Sequence, residues 1–128
     1  YMFVLAGDTV DSMRRTLDLA LDLRTEWANF YGCMIYPGSP LYADAVREGK
    51  PVSSNWASYA PLGYECIPFA PAGLTPEQVL RFRDMAFLRY FGEPEYLIMV
   101  GEKFGQTAVV DIIAMLALGP PKRKILGH

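Results

Sequence analysis

The sequence predicts an α/β fold, a βαβ unit followed by a run of helices, and three observations carry that reading. An apolar run opens the chain at 1–5, and a second run rich in aromatic and β-compatible residues falls at 27–36. Between them, apolar residues recur at helical spacing over 10–23. Beyond residue 75, three segments with helical patterning follow one another, punctuated by glycine and proline. Four stretches result: 1–49 as the βαβ part, 50–74 as a long loop, 75–119 as a helical extension and 120–128 as a tail.

The first strand, 1–5, is apolar throughout, as suits a parallel strand covered on both faces. Ala6-Gly7-Asp8-Thr9 makes the turn into a helix over 10–23, with Asp8 or Thr9 as its cap. Met13, Leu17, Ala20 and Leu21 form the apolar stripe of that helix, and Asp11, Arg14, Arg15, Asp18 and Asp22 its wet side. The second strand, 27–36, follows closely, so the pair should be parallel with a helical crossover. Two strands cannot cover both of their faces, and such a unit wants neighbours.

Tyr36-Pro37-Gly38-Ser39-Pro40 is a sharp turn in which Ser39 caps a short helix over 41–48 and Pro40 suits its first position. Gly49 ends it. Residues 50–74 carry many prolines, glycines and aromatics, and loops of that length commonly bind or cover something. Thr75-Pro76-Glu77-Gln78 opens a helix reaching about Phe91, with Val79, Phe82, Met85, Ala86 and Tyr90 as its core face. Helices over 95–104 and 107–118 follow, although Tyr96 to Val100 also fits a strand. Gly119-Pro120-Pro121 stops the last helix and leaves a loose tail.

Composition narrows the function. The 128 residues are 52% apolar and 20% charged, a globular balance. A net charge of -2 gives no general attraction for nucleic acid or an anionic membrane, and neither is expected as a partner. Lys122-Arg123-Lys124 reads as a solvated cluster. Cys33 and Cys66 are too far apart for a C-x-x-C site; two reduced, buried thiols in a cytoplasmic protein are expected, with a single disulfide as the alternative. The only histidine is His128, so no catalytic triad or histidine-bearing metal motif is present. Catalytic and metal-ligating residues within the chain are therefore expected to be none.

Two motifs remain. One is Phe3-Val4-Leu5-Ala6-Gly7-Asp8-Thr9-Val10-Asp11-Ser12, and the other is Tyr36-Pro37-Gly38-Ser39-Pro40-Leu41-Tyr42. With Trp27-Ala28-Asn29-Phe30 between them and Leu74-Thr75-Pro76-Glu77 and Arg81-Phe82-Arg83 after them, the chain resembles the back half of radical S-adenosylmethionine enzymes. The similarity is to the cobalamin-associated group that includes the anaerobic Mg-protoporphyrin IX monomethyl ester oxidative cyclase. That group typically carries Gly-Leu-Pro-Gly-Glu/Asp-Thr after a strand and, later, Tyr-Pro-Gly-Thr-Pro-Leu-Tyr. Val4 and Ala6 stand where the family often has Gly and Pro, and the C-x-x-x-C-x-x-C that holds its cluster does not occur here.

The resemblance implies a partial TIM-like barrel whose late strands are the two above, followed by C-terminal helices. It implies an oxidoreductase parent using S-adenosylmethionine and a 4Fe-4S cluster, with cobalamin left open. Its partners would be the remainder of the barrel and the small-molecule substrate of the parent. Because the chain opens on a strand, it is expected to be cut from within a larger protein; the resemblance, with the cluster motif lacking, implies a C-terminal fragment, inactive alone, with no cofactor of its own. In such barrels ligands lie at the carboxy-terminal ends of the strands, so Gly7, Asp8, Thr9 and Tyr36 are the implied cofactor-binding residues.

Each has a plainer role beside it: a tight turn and helix cap at 7–9, and a chain reversal at 36–38. Trp56, Tyr59 and Tyr64 could line a substrate entrance or pack the loop down. The competing class is a helical interaction module that docks or self-associates through the apolar helix over 107–118.

Overall fold

A computed structural model describes residues 1–128. In chain order it holds β1 (Met2–Phe3), α1 (Val10–Leu23), β2 (Tyr31–Gly32), α2 (Pro40–Arg47), α3 (Pro76–Phe91), α4 (Pro94–Phe104) and α5 (Gln106–Leu118). Single 3-10 turns lie at Trp56–Tyr59 and Lys124–Leu126. The molecule is mostly helical, around one parallel two-stranded ladder in which Met2 faces Tyr31 and Phe3 faces Gly32.

Both strands are shorter than expected. β1 stops at Phe3 because Val4 takes φ +63°, outside the extended region. The Leu5 N–H then donates to the Asp8 carboxylate at 2.8 Å, and the Asp8 N–H donates to the Leu5 carbonyl at 3.0 Å, closing a turn in place of a ladder. β2 starts only at Tyr31. Upstream, the Tyr90 and Tyr96 hydroxyls donate to the carbonyls of Thr25 (2.5 Å) and Glu26 (2.8 Å) and hold that segment to the helices. Ion pairs Arg24–Glu95 and Lys103–Glu26 add to the clamp.

The helix starts follow from capping chemistry. Thr9 accepts from the Ser12 N–H while Ser12 Oγ accepts from the Thr9 N–H, and Thr75 and Gln78 repeat the arrangement on α3. Ser39 caps α2 and Pro40 takes its first position, so α2 begins one residue earlier than expected. Tyr96 to Val100 is helical, not a strand. Those two residues, four apart, put their buried side chains on one face of α4.

The core gathers where α3 crosses β2 and α1. Phe3 stacks on Phe30 (5.9 Å between ring centres), Phe30 meets Tyr90 edge-on (5.5 Å), and Tyr90 leans on Tyr96 (5.1 Å). Gly32 lets the strand approach closely: a Cβ there would sit 3.1 Å from both the Pro68 Cβ and the Val79 Cγ1, and both would have to give way by a few tenths of an ångström. The core face of α3 differs from expectation. Val79, Ala86 and Tyr90 are buried, but Met85 is 41% exposed, and Leu80, Arg83 and Asp84 are buried instead. α3 packs on two sides, against the main core and against a smaller cluster of Met34, Cys66 and Leu80, which widens its buried arc.

The 120–128 segment is not loose. Ile125 and Leu126 cover that smaller cluster. The basic cluster is only partly solvated: Lys122 and Lys124 are exposed, but Arg123 is fully buried, drawn in by the Asp84 carboxylate 3.4 Å away. No helix is long and apolar enough to cross a membrane.

Candidate functional site

Because β1 and β2 run parallel, the turns that follow them leave from the same end of the ladder. The first is 4–9. Gly7 has φ +87° with open space around it, so glycine is needed there for its backbone freedom and not for room. The Asp8 carboxylate is committed locally: one oxygen accepts from the Leu5 N–H and the other from Ser12 Oγ, each at 2.8 Å. Thr9 Oγ1 accepts from the Ser12 N–H at 3.2 Å. Asp8 and Thr9 thus build the turn and the cap with the atoms a ligand would use.

The second turn is closed by the Ser39 N–H donating to the Tyr36 carbonyl at 3.1 Å. It leaves the Tyr36 ring half-exposed on a cavity of about 520 Å³. Met2, Tyr31 and Met34 form the sheet side of that cavity, and Pro61 and Leu62 the loop side. Side chains alternate across a strand. Phe3 faces the core, so Met2 turns to the opposite face and is 50% exposed. The wall is mostly apolar, with two phenols as its polar groups. It is larger than the 390 Å³ cleft between α4 and α5 and is shaped to take a flat or apolar group.

Of the four residues the sequence singles out, Tyr36 alone opens on this cavity; Gly7, Asp8 and Thr9 sit in the neighbouring turn. Trp56, Tyr59 and Tyr64 do not line it. Tyr59 donates to the Ser53 carbonyl at 2.7 Å and its ring lies 6.2 Å from Tyr36; Tyr64 donates to the His128 carbonyl at 2.7 Å. Trp56 is 75% exposed.

Both thiols are free and buried. Burial pushes each up from its ordinary value, with the Asp8 charge adding to the effect at Cys33. Both are held as thiols, which are poor nucleophiles. No three His, Cys, Asp or Glu side chains converge as a metal-holding group.

Sequence reasoning missed Met2, Met34 and Leu62 as cavity walls, since apolar character alone does not tell which cavity or face a residue joins. It also missed the buried charges Arg83, Asp84 and Arg123. For Arg83 a signal existed: it stands four residues after Val79 and three before Ala86, inside the apolar stripe of α3. Comparison with protein-family models, with curated proteins and with solved structures gives no match.

Proposed function

We propose that this chain is the carboxy-terminal part of a radical S-adenosylmethionine enzyme, similar to the cobalamin-associated oxidative cyclases. On this reading β1 and β2 are late strands of a partial TIM-like barrel and α3 to α5 are its C-terminal extension. The observation that carries the reading is the backbone of the first turn. Val4 (φ +63°) and Gly7 (φ +87°) both lie in the left-handed region, at the two positions where the pattern this turn resembles has glycine. A fully buried, β-branched residue seldom adopts that conformation. The turn retains the shape a glycine pattern dictates even where the glycine has gone.

The apolar cavity lies across the open face of the ladder, from Met2 and Tyr31 to Tyr36 in the turn that follows β2, and only its Tyr36 side reaches the carboxy-terminal end at which barrels of this kind bind. The two cysteines lie in separate apolar clusters and do not fit a cluster site, so the iron–sulfur ligands belong to the preceding half of the parent. S-adenosylmethionine reduced by that cluster supplies the radical chemistry. What this chain contributes is a wall: Tyr36, with Met2 and Met34 beside it, shields one side of the ligand from water. The turn at Gly7, Asp8 and Thr9 brings backbone close to it.

The test is the coding sequence upstream of Tyr1, where a C-x-x-x-C-x-x-C motif within the preceding barrel half is expected; a start codon close to Tyr1 overturns the reading. Iron–sulfur reconstitution of the isolated chain should yield no stoichiometric cluster absorbance.

One observation favours a second reading, a self-associating helical module. α5 buries only Ile112 and leaves Val110, Ile113 and Leu118 in solvent, an apolar surface of the kind used for association.

A further inference from the structure

Asp84 serves two guanidinium groups. Arg83 Nη1 donates to its carboxylate at 3.0 Å, and Arg83 Nε donates to the Phe30 carbonyl at 2.7 Å. Arg123 Nη2 stands 3.4 Å from the same Asp84 oxygen, a Coulombic contact without hydrogen-bond geometry. All three guanidinium nitrogens of the fully buried Arg123 lack a hydrogen-bond partner. Two buried cations therefore share one carboxylate, an arrangement that desolvation disfavours.

The rest of the segment is well held. The Lys124 N–H donates to the Tyr64 carbonyl at 2.8 Å, and Tyr64 Oη donates to the His128 carbonyl at 2.7 Å. Lys124 Nζ lies 3.5 Å from Glu65. Ile125 and Leu126 cap Met34, Cys66 and Leu80. Met34 also lines the 520 Å³ cavity, together with Leu62 and Gly63 from the loop that Tyr64 continues.

We infer that residues 121–128 form a releasable strap, docked by backbone and apolar contacts but strained at Arg123, which covers Cys66 and braces the 60–65 loop that walls the apolar cavity. A buried charge without hydrogen bonds costs stability, and the segment that carries the cost opens for less free energy than the rest of the fold. Release uncovers Met34, Cys66 and Leu80 and extends the cavity into one apolar groove. The strap stands on its own contacts and holds whether or not the chain belongs to a radical enzyme.

Cys66, 1% exposed beneath the strap, reports its opening, and Cys33, in the main core, is the internal control. The experiment is pulse labelling of the full chain with N-ethylmaleimide, with each thiol read separately by peptide mass spectrometry. Arg123→Glu places a carboxylate against Asp84 and should speed Cys66 labelling roughly tenfold or more while Cys33 holds its rate. Unchanged Cys66 labelling in this variant overturns the strap. If Arg123→Glu unfolds the chain, so that both thiols label together, Arg123→Met decides. It keeps the length, removes the orphaned nitrogens and leaves Asp84 to Arg83, so Cys66 should label more slowly than in the parent chain. Equal or faster labelling of Cys66 in Arg123→Met overturns the proposal.

Discussion

At Val4 two opposing effects meet in one side chain. Its left-handed backbone costs roughly 1–3 kcal/mol, and its full burial returns about 1.5–3 kcal/mol. Val4→Gly removes both, so the stability measured by urea unfolding should change by less than about 1 kcal/mol. Val79→Gly, at an equally buried position with helical backbone, loses the burial and adds a helix penalty, and should cost about 3 kcal/mol or more. Equal losses at the two positions would mean that Val4 carries no strain. The ionisable groups of the core make a second residue-scale prediction. Burial raises both thiols above their ordinary 9.0, and Tyr96 is pushed up to about 12, again by burial first. The folded chain then holds protons that the unfolded chain releases. Stability should be flat through neutral pH and fall as pH rises past about 9, with Tyr96 extending the loss between about 10 and 12. Thermal midpoints from pH 7 to 11 check this; a midpoint that rises with alkalinity would contradict it.

Among the elements, those with local chemistry at their ends were legible. α1 and α3 start and stop where the sequence places them because a reciprocal cap fixes each start and a glycine, or an arginine in the left-handed region, ends each one. Thr75→Ala removes the cap of the helix that carries most of the core and should cost about 1 kcal/mol by urea unfolding. An undiminished stability would mean that packing alone sets the start of α3. The strands were legible in place and direction but not in extent, because extent depends on partners. Leu5 is apolar yet donates to Asp8, and Trp27 is aromatic yet is pulled out of line to rest on Phe91, 4.9 Å between ring centres. Of the candidate site, Tyr36 lies on the cavity and its turn was legible from the motif, whereas the Met2 and Met34 walls depend on which face the ladder leaves uncovered and the Leu62 wall on a loop path that no local pattern encodes. Arg123 shows the same limit: as part of a basic cluster it looks solvated, and only the distant Asp84 pulls it inside.

Over the whole molecule, two apolar surfaces are left in solvent, and they differ in what they offer. The ladder face presents Met2 and the cavity beneath it, a concave surface two residues long. The α4 and α5 face presents Ile98, Phe104, Val110, Ile113 and Leu118, the last 87% exposed, with Asp111 as the one charge on α5. Larger and with a single charge on α5, the helical face is the better surface for a second copy, while two ladder residues give too little backbone pairing to hold one. The isolated chain should therefore sediment above monomer mass at high concentration. Val110→Glu combined with Ile113→Glu should restore the monomer with a stability change within about 0.5 kcal/mol per site, since neither side chain is packed. Met2→Lys should leave the association unchanged. If Met2→Lys dissolves the oligomer and the α5 pair does not, the open ladder is the sticky surface, as expected of a barrel strand deprived of its neighbours. A chain that is monomeric at every concentration would remove the case for the helical module and leave the barrel reading to account for both surfaces.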